Sequence, residues 1–219
     1  MRTSLRIDHL VLATPDLTTT VADITERLGV APLPGGAHVG RGTFNALLGL
    51  GGHTYLEIIG PDPAQPEPEH PRPFGIDQLE RARLMAWCVA PQRRLESVVA
   101  DATESGFDPG PIESMSRRRP DGVLLEWRLT FPPTGRHSVL PFLIDWLDSP
   151  HPTLDLPIGG QLIGLDLVHP SPRHIDSVLT ALADPATLGD DDSVITLNEG
   201  TESLLSARIR GASGPVVLV

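Results

Sequence analysis

Lysine is absent from this 219-residue chain; all 17 basic side chains are arginines. That excludes Schiff-base chemistry on a lysine and any phosphate loop that needs one. A single cysteine, Cys88, excludes an intrachain disulfide and a cysteine-rich zinc site, and makes a reduced, cytoplasmic compartment the expectation. No apolar run approaches the roughly 18 residues that a membrane span needs, and residues 1–7 lack the apolar stretch of a signal peptide. Positive charge is also in deficit: 28 acidic residues leave a net charge of −11. Such a surface repels phosphate backbones and anionic lipid, so neither nucleic acid nor membrane is expected as a partner. There is no dinucleotide fingerprint, phosphate loop or nucleophile elbow, and no nucleotide cofactor is expected.

What remains is a globular composition, 40% hydrophobic and 21% charged. The chain also repeats itself. Three apolar segments begin at Arg6, Arg83 and Leu162, and each reads as a buried strand followed by a helix. Asp16 is the expected N-cap of the first helix, with Leu17, Val21, Ile24 and Leu28 on one face and Gly29 as its stop. The second helix places Leu95, Val98, Val99 and Ala102 together and stops at Gly106. The third starts at Ser171-Pro172, buries Ile175, Val178, Leu179 and Leu182, and stops at Pro185. Short strands close each unit: residues 42–50 and 54–60, then 112–117, 123–131 and 140–146, then 193–198, 203–210 and 215–219. Gly51-Gly52 and Asp121-Gly122 mark hairpin turns. Proline-rich linkers, residues 61–81 and 149–160, separate the units.

The expected fold class is therefore α+β, built of tandem βαβββ units. Two pair around a cleft in residues 1–150, and a third unit follows in residues 151–219. A lone unit has one bare sheet face and must bury it. Because the third has no fourth to pair with, a homodimer through it is expected; packing on the outside of the first two is the competing solution.

Several residues stand out chemically. Glu57 is a carboxylate between Leu56 and Ile58, and if dry it is a candidate general base. His9 sits in an apolar run, as a ligand, a cleft base or a bonded core histidine. His38 follows Gly35-Gly36-Ala37, where glycines let the backbone approach a ligand. Asn45 offers a donor and an acceptor for a carbonyl. Arg117, Arg118 and Arg119 are either a solvated turn or a clamp on a carboxylate or phosphate, with Arg119 taken as the substrate contact. Trp127, Phe142 and Trp146 are three of nine aromatic residues, and line either a substrate wall or the core. Cys88 reads as core, and His137, His151, His169 and His174 have no metal-site spacing.

The repeat, with Ile7-Asp8-His9-Leu10, Gly35-Gly36-Ala37-His38, Gly42-Thr43-Phe44-Asn45, Tyr55-Leu56-Glu57, Arg119-Pro120-Asp121-Gly122, Glu126-Trp127 and residues 141–146, resembles the glyoxalase-like branch of the vicinal oxygen chelate superfamily. That group includes glyoxalases, extradiol dioxygenases, epimerases and antibiotic-resistance proteins. The resemblance implies metal ligands on the first and last strand of each unit, and it places His9 and Glu57 as donors to a divalent metal such as zinc, iron or manganese. In the second unit Ala86 falls at the position of His9. Ile144 falls at that of Glu57, or Asp145 after a one-residue slip that would turn it to the other face. The function implied is a glyoxalase-like enzyme, a lyase, isomerase or dioxygenase, acting on a small carbonyl or oxoacid substrate with Glu57 and His38 as catalytic groups. The alternative is a non-catalytic protein that sequesters a small molecule or antibiotic.

Overall fold

A computed structural model describes residues 5–119, 122–131, 139–184 and 194–219. Pro120 and Asp121 of the expected turn, His137, the Pro185 stop and Ser193 lie outside the described residues. The first unit runs β1 (Ile7–Ala13), α1 (Leu17–Leu28), β2 (Leu33–His38), β3 (Thr43–Gly49) and β4 (Tyr55–Pro61). The second runs β5 (Arg83–Val89), α2 (Leu95–Glu104), β6 (Ile112–Arg118), β7 (Leu124–Thr130) and β8 (Phe142–Asp145). The third runs β9 (Gln161–His169), α3 (Pro172–Leu182), β10 (Ile195–Glu199), β11 (Leu204–Gly211) and β12 (Gly214–Leu218).

Local signals explain the helices. The Asp16 carboxylate accepts from the Thr19 amide, and Gly29 closes α1 in the left-handed conformation at φ 75°. Pro172 opens α3, whose face of Ile175, Val178, Leu179 and Leu182 is buried. β2 is the element that the sequence concealed. Residues 33–38 read as a glycine-flanked loop, yet they pair with β3 as an edge strand, where Pro34 does little harm.

Units one and two share one sheet of eight strands, in the order β2-β3-β4-β1-β5-β8-β7-β6. The order is symmetric about the antiparallel β1–β5 pair. On each side the first strand of a unit lies parallel to its last, β1 with β4 and β5 with β8. One face carries the helices. The other face curves around the cleft, whose apolar part holds Val11, Ala13, Ile59, Cys88, Leu125, Trp127, Leu129, Phe142 and Ile144. Ile76, from the 3₁₀ turn Pro73–Gln78 in the first linker, plugs that same cluster.

Unit three has the expected order of elements but a different winding. Its sheet runs β10-β9-β11-β12, so the parallel neighbour of β9 is the strand directly after the helix. It does not stand apart. Leu165, Leu167, Ile175, Val178, Ile209 and Leu218 join Leu10, Leu12, Ile24, Leu28, Leu56 and Leu143 in one continuous core. Backbone hydrogen bonds from Gly49 to Pro157, Leu162 to Leu50 and Leu84 to Val219 tie the units together. The apolar face that motivated a homodimer is thus covered inside the chain, by the competing solution, and that reason for a dimer lapses.

Leu165 is fully buried where unit three meets the others. Leu165→Ala should lower stability by about 2–5 kcal/mol, the range for a leucine deleted from a close-packed core. Urea unfolding should show one shifted transition for the whole chain. A separate early transition of unit three would contradict the shared core.

Candidate functional site

The site begins with an irregularity in β1. Opposite β5, Ile7 pairs with Val89 and His9 with Cys88, which leaves Asp8 as the extra residue of a bulge. Neighbours in a regular strand point to opposite faces; here Asp8 Oδ1 and His9 Nδ1 meet at 2.6 Å. The other Asp8 oxygen accepts from Trp146 Nε1 and from His151 Nε2, each at 3.0 Å. Burial alone would raise the Asp8 carboxyl, but the hydrogen bonds from His151 and His9 outweigh it and hold the group well below the usual carboxylate range. An ionised carboxylate only accepts, so His9 donates from Nδ1 and turns Nε2 into the cleft.

There His9 Nε2 lies 3.7 Å from Glu57 Oε2. Glu57, on β4, accepts from Asn45 Nδ2 at 2.6 Å. His38 on β2 contacts Thr43 Oγ1 at 3.0 Å through Nδ1, and places Nε2 3.9 Å from Glu57 Oε1. Burial pulls the His38 imidazole down, with Glu57 opposing and Arg117 and Arg41 reinforcing the shift. Asn45 Oδ1 accepts from Arg117 of β6 at 3.4 Å. The two outer strands of the eight-stranded sheet therefore approach each other across the cleft. Gly35 and Gly36 of β2 make this approach feasible: a Cβ on Gly35 would collide with Asn45 and Arg117, and one on Gly36 would press on Arg117. The glycines that suggested room for a ligand leave room for a guanidinium.

The structure brings His9, Glu57, Asn45 and His38 together on one face. Phe142 sets its ring edge-on to His9, with centroids 5.3 Å apart. Trp127 and Trp146 pack on each other, and Trp146 reaches the group through Asp8. Arg119 lies apart, ion-paired to Asp155 at 2.7 Å. Arg117 occupies the place that Arg119 was expected to take. Strand alternation gives 117 and 119 the same parity and does not separate them; β6 ends at Arg118, so Arg117 lies within the strand and Arg119 beyond it. Asp8 and His151 went unassigned in the sequence; a bulge and a contact from the second linker have no spacing signature.

The register also settles the second unit. Val11 pairs with Glu57, and Cys88, its counterpart in β5, pairs with Phe142. Phe142, and not Ile144 or Asp145, is the counterpart of Glu57. Asp145 binds Arg128 at 2.6 Å, which also holds Glu96 of α2, so it faces the helices. The four positions implied for a metal thus carry His9, Glu57, Ala86 and Phe142, a set that does not fit a four-donor chelate. A different group of three potential donors, Asp8, His9 and Cys88, lies within 4.8 Å. Its Asp8 oxygens are already hydrogen-bonded, and burial pushes the Cys88 thiol up and keeps it protonated.

A curved sheet from two paired βαβββ units, with a polar group on its inner face, is the vicinal oxygen chelate fold. The chain belongs to the glyoxalase-like domain family, whose model matches residues 7–183 and so runs from unit one into unit three. A crystal structure of a hypothetical protein from Staphylococcus aureus superposes with a TM-score of 0.62 at 15% identity, over 91% of this chain and 88% of that one. Methylmalonyl-CoA epimerase from Mycobacterium tuberculosis gives a TM-score of 0.40 at 14% identity, over 66% and 89%. A methylmalonyl-CoA epimerase in complex with methylmalonyl-CoA and NH4+ gives 0.43 at 21% identity, over 68% and 100%. No curated protein matches the chain. No helix among the described residues is long and apolar enough to cross a membrane.

The Asp8 geometry yields a pH prediction. A carboxylate lowered in the folded state stabilises above its unfolded value, about 3.9, and that stabilisation is lost as pH falls through the folded value. Asp8→Asn should cost about 3–5 kcal/mol at pH 7, as when one partner of a buried pair is removed. The gap to wild type should hold from pH 7 to about 5 and narrow below about 4. Urea titrations at each pH measure it, and a gap already closing at pH 6 would contradict the assignment.

Proposed function

We propose that this protein is a small-molecule enzyme that moves a proton next to a carbonyl group in the cleft. The observation that carries this reading is the Asp8–His9–Glu57 alignment. A carboxylate fixed by Asn45 faces an imidazole whose far nitrogen is anchored to a second, buried carboxylate. Glu57 would take a proton from the carbon next to the substrate carbonyl. His9 Nε2 would receive or return that proton, and Asp8 would stabilise the imidazolium. His38, whose Nε2 lies 3.4 Å from Asn45 Nδ2, would turn from that contact to the carbonyl oxygen or the enolate that develops on it. Phe142 and the neighbouring apolar side chains exclude water, which strengthens each of these interactions.

The reading assigns no step to a metal. A divalent ion such as zinc, iron or manganese would find His9 and Glu57 as donors, while Ala86 and Phe142 supply none. That loss favours the second reading, a protein that binds a small molecule without transforming it.

Hydrogen–deuterium exchange separates the two. Incubated with pyruvate in D2O, the wild type should exchange the methyl protons, read by NMR. Glu57→Gln should slow exchange about 10²–10⁴-fold, the usual contribution of a positioned base. Binding of pyruvate without enzyme-dependent exchange would establish the sequestering reading for this ligand. Equal exchange by wild type and Glu57→Gln would refute the assigned base.

A further inference from the structure

Arg117 is 7% exposed. Among the described residues its one hydrogen bond is the long contact to Asn45 Oδ1 at 3.4 Å, and no carboxylate lies within ion-pairing distance of it. Other arginines nearby are differently placed. Arg119 holds Asp155, Arg128 holds both Glu96 and Asp145, and Arg41 holds Glu113 at 3.0 Å. A guanidinium has five N–H donors in a planar fork; those of Arg117 that bond nothing in the protein are not sealed off, since among the described residues only Arg93 Nε and Arg128 Nε are buried without a partner, and they keep access to the cleft. The fold keeps Gly35 and Gly36 beneath this side chain, where a methyl group would obstruct it. Glu57 gives some attraction at longer range, but one of its oxygens is already occupied by Asn45.

We propose that Arg117 is an anion subsite of the cleft and that the ligand is a small carboxylate, an oxoacid or hydroxyacid of a few carbons. Its carboxylate lies on the guanidinium fork, and its reacting carbon points toward Glu57 and His9; this orientation rests on the proton-transfer reading above. A carboxylate matches the fork in shape and takes two parallel N–H bonds. A phosphate dianion would add more negative charge beside Glu57. The enclosure also limits size, because the Glu57 and His38 side chains are only 11% and 12% exposed.

The test is ligand-observed NMR titration with three probes: pyruvate, the uncharged analogue hydroxyacetone, and inorganic phosphate. Pyruvate should bind the wild type, and Arg117→Gln should weaken it at least tenfold. Arg117→Lys, which keeps the charge and loses the fork, should give an intermediate loss. Arg118→Gln should change nothing, since Arg118 is exposed and, among the described residues, bonds only the Gly122 carbonyl. Hydroxyacetone should bind wild type and Arg117→Gln alike. Circular dichroism checks that each variant folds; if Arg117→Gln does not, Arg117→Lys decides.

Equal pyruvate affinity in wild type and the Arg117 variants would overturn the proposal, as would binding of hydroxyacetone as tightly as pyruvate. Phosphate binding more tightly than pyruvate through Arg117 would overturn the choice of a carboxylate. The two readings fail separately. Pyruvate held through Arg117 without exchange would leave the subsite and refute proton transfer. Exchange on hydroxyacetone, with pyruvate indifferent to Arg117, would do the reverse.

Discussion

The antiparallel pairing of β1 with β5 is the constraint on which the rest depends. It joins two βαβββ units into one sheet and gives that sheet its symmetric order. It directs the inner faces of both first strands into the cleft. Its bulge at Asp8 brings two neighbouring side chains into contact that a regular strand would separate. Without the bulge, His9 would still face Glu57, but its far nitrogen would have no carboxylate behind it. The site's electrostatics therefore originate in a register shift of the backbone as much as in the identity of the residues.

Repetition made the fold legible. Each helix has its own capping and periodicity signals, and Asp16, Gly29 and Pro172 act where the pattern puts them. The family match over residues 7–183 agrees with the resemblance read from the motifs. Sheet order in unit three was not legible, because βαβββ order is compatible with more than one winding. β9 chose the strand directly after α3 as its parallel neighbour. β2 was concealed because proline and two glycines are poor strand formers. Its pairing partner, and the guanidinium that needs those glycines, come from elsewhere in the chain.

Within the site, the legible residues were those that strand alternation exposes: a histidine, a carboxylate and an amide on the inner face of adjacent strands. Their convergence follows from parallel β1–β4 and antiparallel β3–β4 register. What stayed hidden depends on long-range geometry. His151 arrives from the second linker, 143 positions from Asp8. The choice of Arg117 over Arg119 depends on where β6 ends and on Asp155, which takes Arg119. Composition could not distinguish three consecutive arginines; the fold gives each a different environment.

The two units are unequal partners in this cleft. Unit one supplies Asp8, His9, His38 and Glu57, with Asn45 holding the Glu57 carboxylate. Unit two holds alanine and phenylalanine where a symmetric chelate needs donors, and contributes aromatic walls and one buried cation. Pseudo-symmetry of the backbone therefore does not extend to the chemistry. A symmetric metal site would draw charge equally from both halves; here negative charge collects on one wall and positive charge on the other. In the proposed reading, a ligand lying between them would be oriented by that separation, with its anionic end toward unit two and its reacting carbon toward unit one. The polar group also draws on the linker that leads into unit three, which carries His151 to Asp8. Residues beyond the paired units thus help hold the carboxylate on which the His9 orientation depends.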